Sequence, residues 1–176
     1  MENLVLTILK TFDLCSSTAL AHLFRERINP TAYESVLRKL YKTREIYQKK
    51  GIYVYYDSKI DDFNNIYPLI VFADLEAGRE IETISTLGKN PYGEASYFRD
   101  NCIYTLHFLA DYEDLFKLEN RINTKKIMHE DMIEYDKHIL IFNDESLYNG
   151  EINLKLPFVR ALVRDVNIPE IEYRKG

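Results

Sequence analysis

Seven side chains between Thr31 and Lys50 offer the clearest chemistry in this chain: Thr31, Ser35, Arg38, Lys39 and Lys42, then Lys49 and Lys50. Residues three, four and seven apart lie above one another on a helix, so a helix over 31–43 would place the first five along one side. Small hydroxyls near the start of such a helix can meet base edges, while Arg38, Lys39 and Lys42 further along can meet phosphates or guanine. Lys49 and Lys50 stand beside Gly51 in a turn sequence, where they would reach the flanking backbone of the same duplex. These seven residues are therefore candidate contacts to double-stranded DNA. Glu34 lies four residues before Arg38 and can pair with it.

Positioning such a set takes a rigid support, and the flanking sequence has the order of one. Leu4, Val5, Ile8, Leu9 and Phe12 recur at helical spacing and predict a helix over 2–12. Leu14-Cys15-Ser16-Ser17-Thr18 is a cap-rich turn leading into a short helix with Leu20, Leu23 and Phe24 on one face. Asn29 directly before Pro30 is the ordinary pairing at a helix start. In the helix that follows, Tyr33, Val36, Leu37 and Leu40 share the packing face. The run 46–56 then reads as two β-rich segments around a Lys50-Gly51 turn. A helix-turn-helix followed by a short hairpin is a winged helix, expected over residues 1–59.

The polar stretch 57–65 marks the expected boundary with a second domain, 60–176, and is too short for a long flexible tether, so the two halves are expected to touch. The spacing of Ile66, Leu69, Ile70, Ala73 and Ala77 favours a helix over the competing strand reading of Leu69 to Phe72, with Asn65 at its start and Gly78 at its end. Residues 79–87 give no clear pattern, and 88–93 has loop chemistry. Asp100-Asn101 between 96–99 and 102–109 predicts a tight hairpin. Leu115, Leu118 and Ile122 predict a helix over 111–122, with acids in its first turn. Strands are expected at 138–142, 159–163 and 168–173, so the expected fold class is α+β: an N-terminal winged helix-turn-helix followed by a small mixed α/β domain.

Of the 176 residues, 46% are hydrophobic and 13% aromatic, enough for a substantial core and unlike a disordered chain. The net charge is −5, but residues 1–59 hold ten Lys and Arg against six Asp and Glu, leaving +4, whereas the remainder holds thirteen against twenty-two, leaving −9. That asymmetry suits a first half facing an anion and an acidic second half serving dimerisation or a protein partner. No apolar run reaches about 18 residues, and Glu2 stands where a signal peptide would carry basic residues, so no membrane segment is expected and the cytoplasm is the expected location. Cys15 and Cys102 are too few for a disulfide framework or a zinc cluster and read as packing residues.

Catalytic patterns are weak. A metal-dependent nuclease needs converging carboxylates, often with a lysine two residues after one of them. Asp57-Ser58-Lys59 is the chain's single acid-x-Lys, and it falls at the expected boundary rather than on a strand of the second half. Phosphate-cradling glycine loops and Gly-x-Ser-x-Gly are absent. His107, among apolar neighbours, reads as a packed histidine, the acidic run 111–114 and the cluster His129-Glu130-Asp131 as exposed surface, and the fourteen tyrosines as ordinary strand composition. No metal, cofactor or enzymatic activity is expected.

The run from Leu14 through the Asn29-Pro30 helix to the Lys50-Gly51 hairpin, then Tyr97-Phe98-Arg99-Asp100, Ile103-Tyr104 and a strand from Ile139 to Phe142, resembles the replication-relaxation-like winged-helix proteins of bacterial plasmids and mobile elements. The resemblance is one of pattern over most of the chain and implies a DNA-binding winged helix followed by a small α/β domain. The chain lacks a carboxylate-lysine strand in that second half, which argues against nuclease activity there. The sequence thus leads to a non-enzymatic DNA-binding regulator of transcription, replication or a mobile element; its alternative is a protein-interaction adaptor using the same module as a docking surface.

Overall fold

The structure, a computed structural model, describes residues 1–25, 27–56, 58, 63–79, 82–124 and 136–176. Helix α1 (Glu2–Phe12) buries Val5, Ile8, Leu9 and Phe12, as their spacing dictates, and ends at Asp13 in the left-handed region, φ 63°. After the short strand β1 (Leu14–Cys15), Ser16 caps α2 (Ser17–Leu23), its Oγ accepting the Ala19 N–H at 3.0 Å. Asn29 does the same for α3 (Pro30–Lys42), accepting the Thr31 N–H at 3.0 Å, with Pro30 as the first helical residue. Strands β2 (Ile46–Lys49) and β3 (Ile52–Tyr55) form an antiparallel hairpin whose turn has Lys50 at φ 52° and Gly51 at φ 79°. Positive φ at both central residues matches the right-handed twist of the strands, and glycine adopts it without steric cost. β1 pairs with the other edge of β3, giving a three-stranded sheet in the order β1-β3-β2.

The rest of the described chain is α4 (Ile66–Leu75), α5 (Glu82–Ser85), β4 (Gly88–Lys89), β5 (Ala95–Arg99), β6 (Cys102–Phe108), α6 (Tyr112–Thr124), β7 (Asp136–Phe142), α7 (Glu145–Asn149), β8 (Phe158–Asp165) and β9 (Glu170–Lys175). The strands make one six-stranded mixed sheet in sequence order, parallel where β6 meets β7 and β7 meets β8, antiparallel elsewhere. Strand alternation divides its residues between two cores. Leu106, Ile139, Ile141, Ala161 and Val163 face α4 and join the core that α1, α2 and α3 build. Leu140, Phe142 and Leu162 face the other way, onto Leu115, Leu118 and Ile122 of α6 and Leu147 and Tyr148 of α7.

Helix α4 is the middle layer. Seven of its residues are buried, the signature of a helix that is apolar on nearly all sides. Its Phe72 ring lies 5.7 Å from Phe12 of α1 and 5.1 Å, edge-on, from Tyr97 of β5. Polar pins reinforce the same junction. Asp13 accepts from Ser58 Oγ at 2.9 Å, Asn65 Nδ2 at 3.3 Å and Lys89 Nζ at 2.6 Å. Asp74 of α4 lies 2.8 Å from His22 Nε2 in α2 and accepts from the Tyr173 hydroxyl of β9 at 2.9 Å. The first hydrophobic core therefore continues across the 57–65 stretch.

The chain is mixed α+β, and several elements depart from the sequence reading. A helix forms in place of the competing strand, but it spans Ile66–Leu75 and ends at Glu76 rather than running to Ala77 and Gly78. β1 and α7 were not anticipated, and α5 occupies part of the patternless 79–87 stretch. Within the loop expected at 88–93, Gly88 and Lys89 pair with Ser96 and Ala95. Asp57, Lys59 and the cluster His129-Glu130-Asp131 lie outside the described residues. Among the described residues no helix is long and apolar enough to cross a membrane.

Candidate nucleic-acid interface

Helix α3 is anchored by Tyr33, Leu37 and Leu40, all buried, with Val36 packed partly against the same core. The opposite side carries Thr31, Ser35, Arg38 and Lys42, each exposed, at spacings of four, three and four. At 1.5 Å per residue this stripe is roughly 16 Å long, enough to lie in a major groove. The Thr31 hydroxyl donates to Asn29 Oδ1 at 2.9 Å, so it helps hold the cap and presents its lone pairs outward. Arg38 stands 3.6 Å from Glu34, the expected i,i+4 pair, but its side chain is 77% exposed, and such a pair is weak enough to yield to a phosphate.

Lys39 sits apart from the other cations of α3. Its Nζ donates to both oxygens of Glu2 on α1, at 2.9 and 2.6 Å, so its charge is neutralised on the flank where α1 and α3 meet. Lys49 and Lys50 are exposed at the hairpin tip, and the Lys49 ammonium lies 5.6 Å from the Phe63 ring. Among the described residues Lys42 and Lys50 have no ion-pair partner. The structure thus sets Thr31, Ser35, Arg38 and Lys42 in one line, keeps Lys49 and Lys50 on the neighbouring hairpin, and turns Lys39 toward α1.

Two features of this face were not identified from the sequence. Arg25 and Arg27, exposed in the α2–α3 turn, add positive charge near the N-terminal end of α3. A cleft of ≈ 160 Å³ separates α3 from the hairpin, lined by Arg38, Tyr41, Lys42, Gln48 and Tyr53. The basic turn is visible as Arg25 and Arg27 just before the expected break at 28–30; the cleft depends on the angle between α3 and the hairpin and has no local signal.

A second polar cluster lies in the six-stranded sheet. Glu94, just before β5, accepts from Asn90 Nδ2 at 3.0 Å and from Arg121 of α6, and its Oε1 lies 2.9 Å from His107 Nδ1 of β6. An ionised carboxylate can only accept, so Nδ1 of His107 carries the shared proton. The other ring nitrogen of His107, Nε2, lies 2.9 Å from His138 Nδ1 of β7. Burial opposes the charged form of Glu94, yet the hydrogen bond and charge of His107, with the donors from Arg121 and Asn90, hold its carboxyl down at about 2. Arg121 is stacked 4.5 Å from the Tyr92 ring. A general base needs a free lone pair and a pKa near the working pH. The carboxyl of Glu94 is held far below neutrality, and its geometry is that of a pin joining β5, β6 and α6. His107 is packed, as the sequence suggested, but within a charged network. Among the described residues no group of three or more His, Cys, Asp and Glu side chains is arranged to hold a metal ion. Comparison of the chain with protein-family models, with curated proteins and with solved structures gives no match.

Proposed function

We propose that α1 to β3 form a winged helix-turn-helix that binds duplex DNA, with α3 in the major groove and the β2–β3 hairpin against the adjacent backbone, and that the protein acts by binding rather than by catalysis, as a regulator of transcription, replication or a mobile element. The observation that carries this reading is the exposed line Thr31, Ser35, Arg38, Lys42 on a helix whose opposite face is buried, with Lys49 and Lys50 exposed on the next hairpin. Hydroxyls precede cations along that line, the order expected when the first turns of a recognition helix meet base edges. The acidic second half would repel DNA and so favour this one docking orientation, leaving its own surface for a homodimer or protein partner.

Fluorescence anisotropy with a mixed-sequence duplex at several salt concentrations tests the proposal. With Arg38, Lys42, Lys49 and Lys50 as the phosphate contacts, log affinity should fall against log salt with a slope of about −3 to −4, at roughly 0.9 per phosphate. The double change Arg38→Ala, Lys42→Ala should make that slope shallower by about 2 and weaken binding by about tenfold or more. Lys39→Ala should have a smaller effect on both than either single change at Arg38 or Lys42, since that ammonium lies on the α1 flank beside Glu2 and off the exposed line. Unchanged affinity in the double variant would remove this face from the interface. The adaptor reading would then gain weight, because the half-exposed Tyr41 beside the helix–hairpin cleft offers a polypeptide an aromatic contact.

A further inference from the structure

On the face of the second sheet that packs against α6 and α7, the register of β8 and β9 sets Arg160 directly opposite Arg174. Directly opposed residues have Cβ atoms about 4.5–5.5 Å apart, and like charges there repel. Among the described residues neither guanidinium has a carboxylate at ion-pair distance. Arg160 is held rigidly: its Nη1 donates to the Tyr148 and Gly150 carbonyls at the end of α7, each at 2.7 Å, and its guanidinium lies 5.7 Å from the Phe158 ring. Capping α7 occupies Nη1 but leaves Nε buried without a hydrogen-bond partner. Burial and the charge of Arg174 both push the Arg160 guanidinium down from its ordinary value, so the pair is held at an electrostatic cost. Both arginines line a cleft of ≈ 670 Å³, within the size range of small-molecule sites.

We propose that this cleft binds a phosphate-bearing small molecule, with Arg160 and Arg174 clamping the phosphate and the rest of the ligand lying along α7 and the end of α6. A phosphate relieves the repulsion between the two guanidiniums: Arg174 offers a planar fork that donates two parallel hydrogen bonds to such an anion, and Arg160, its Nη1 held by carbonyls, adds its charge and its Nη2 donors. The remaining wall supplies acceptors: Glu119, Glu151, Asn149 and Asn153 line the same cleft. Glu119 is fixed in place because one of its oxygens accepts the Asn153 N–H at 2.6 Å. The ligand class is therefore a phosphate joined to a group with hydroxyl or amino donors, rather than a bare anion in a wholly basic pocket. This inference does not depend on the DNA-binding reading.

Isothermal titration of the full chain with inorganic pyrophosphate, at constant ionic strength, tests the clamp. One saturable site is expected. Arg174→Gln should weaken it by about tenfold or more, the effect of removing one charge-assisted donor pair. Arg38→Ala, Lys42→Ala should leave it within about twofold, because those residues belong to the other half of the molecule. Arg174 is exposed and, among the described residues, makes no side-chain hydrogen bond or ion pair, so the variant should retain the wild-type circular dichroism and unfolding midpoint, unlike changes at Arg160, which caps α7. Absence of saturable heat at millimolar pyrophosphate would overturn the proposal. So would an affinity that follows Arg38 and Lys42 but ignores Arg174.

Discussion

Replacing Glu76 with alanine is expected to cost about 3–5 kcal/mol of unfolding free energy, the usual penalty for removing one partner of a buried ion pair. Glu76 closes α4 and is only 2% exposed. Its Oε1 lies 2.5 Å from Arg99 Nη1 of β5, so the pair ties the middle helix to the six-stranded sheet. Arg99 also stacks on one ring, its guanidinium 4.6 Å from that of Tyr104. Burial pushes the Glu76 carboxyl up, and the Arg99 guanidinium beside it pulls the other way. Without Glu76, Arg99 keeps, among the described residues, only the largely exposed Asp100 as a carboxylate partner, at 3.2 Å. Glu76→Leu together with Arg99→Met removes both charges and should recover most of the loss, since apolar replacement of a whole buried pair is often neutral. Urea unfolding of the two single variants and the double variant measures the coupling. A cost below about 1 kcal/mol for Glu76→Ala would show that the pair contributes no more than a surface bridge.

The second large effect concerns acid. Glu94 has its carboxyl held at about 2, against an ordinary value of 4.5. A carboxylate depressed in the folded state stabilises the fold fully above its unfolded value, and that contribution is lost as pH falls toward the folded value. The window is thus pH 4.5 down to about 2, and the loss across it is on the order of 2–3 kcal/mol. Glu94→Gln cannot titrate, so its stability should change less over that window while being lower near pH 7. Urea midpoints measured at several pH values from 7 to 2.5 should converge for the two proteins as the pH falls. Parallel curves would mean that Glu94 is not the group responsible.

Elements whose signals are local were readable from the residues alone. Ser16, the Asn29-Pro30 pair and the Asp100-Asn101 turn announce themselves through side chains that act on backbone a few residues away, and the structure places each of them where its chemistry requires. The apolar stripe of α3 likewise separates Leu37 and Leu40 from Arg38 and Lys42 by period alone. Strands β1 and β4 had no such signal: each is two residues long and is a strand only through its partner, Leu14 with Val54 forty residues on, and Gly88 with Ser96 across a loop. Lys39 shows the same limit at the candidate site. Its position on the helix resembles that of Arg38, and only the approach of Glu2 from α1 sets it apart. The Glu94–His107–His138 chain joins three separate strand regions, so no sequence window contains it. Arg160 and Arg174 are fourteen residues apart and meet through the β8–β9 register.

The carboxylate of Asp74, shared between α2 and β9, has a consequence for how the chain comes to be folded. Its contact with Tyr173 spans 99 positions, and its contact with His22 spans 52. A chain made from its N-terminus at about 5–20 residues per second presents α1 to α3 to solvent many seconds before β9 has left the ribosome. Through that interval Asp74 can already meet His22, but the hydroxyl that takes its second oxygen does not yet exist. Contacts this distant in sequence slow closure, because the entropy of the intervening loop is lost before the contact returns anything. Helix α4 therefore gains its contact with Tyr173 only when β9 is in place, so ribosome-bound chains stopped before β9 should be markedly more sensitive to proteolysis within α4 than the released protein.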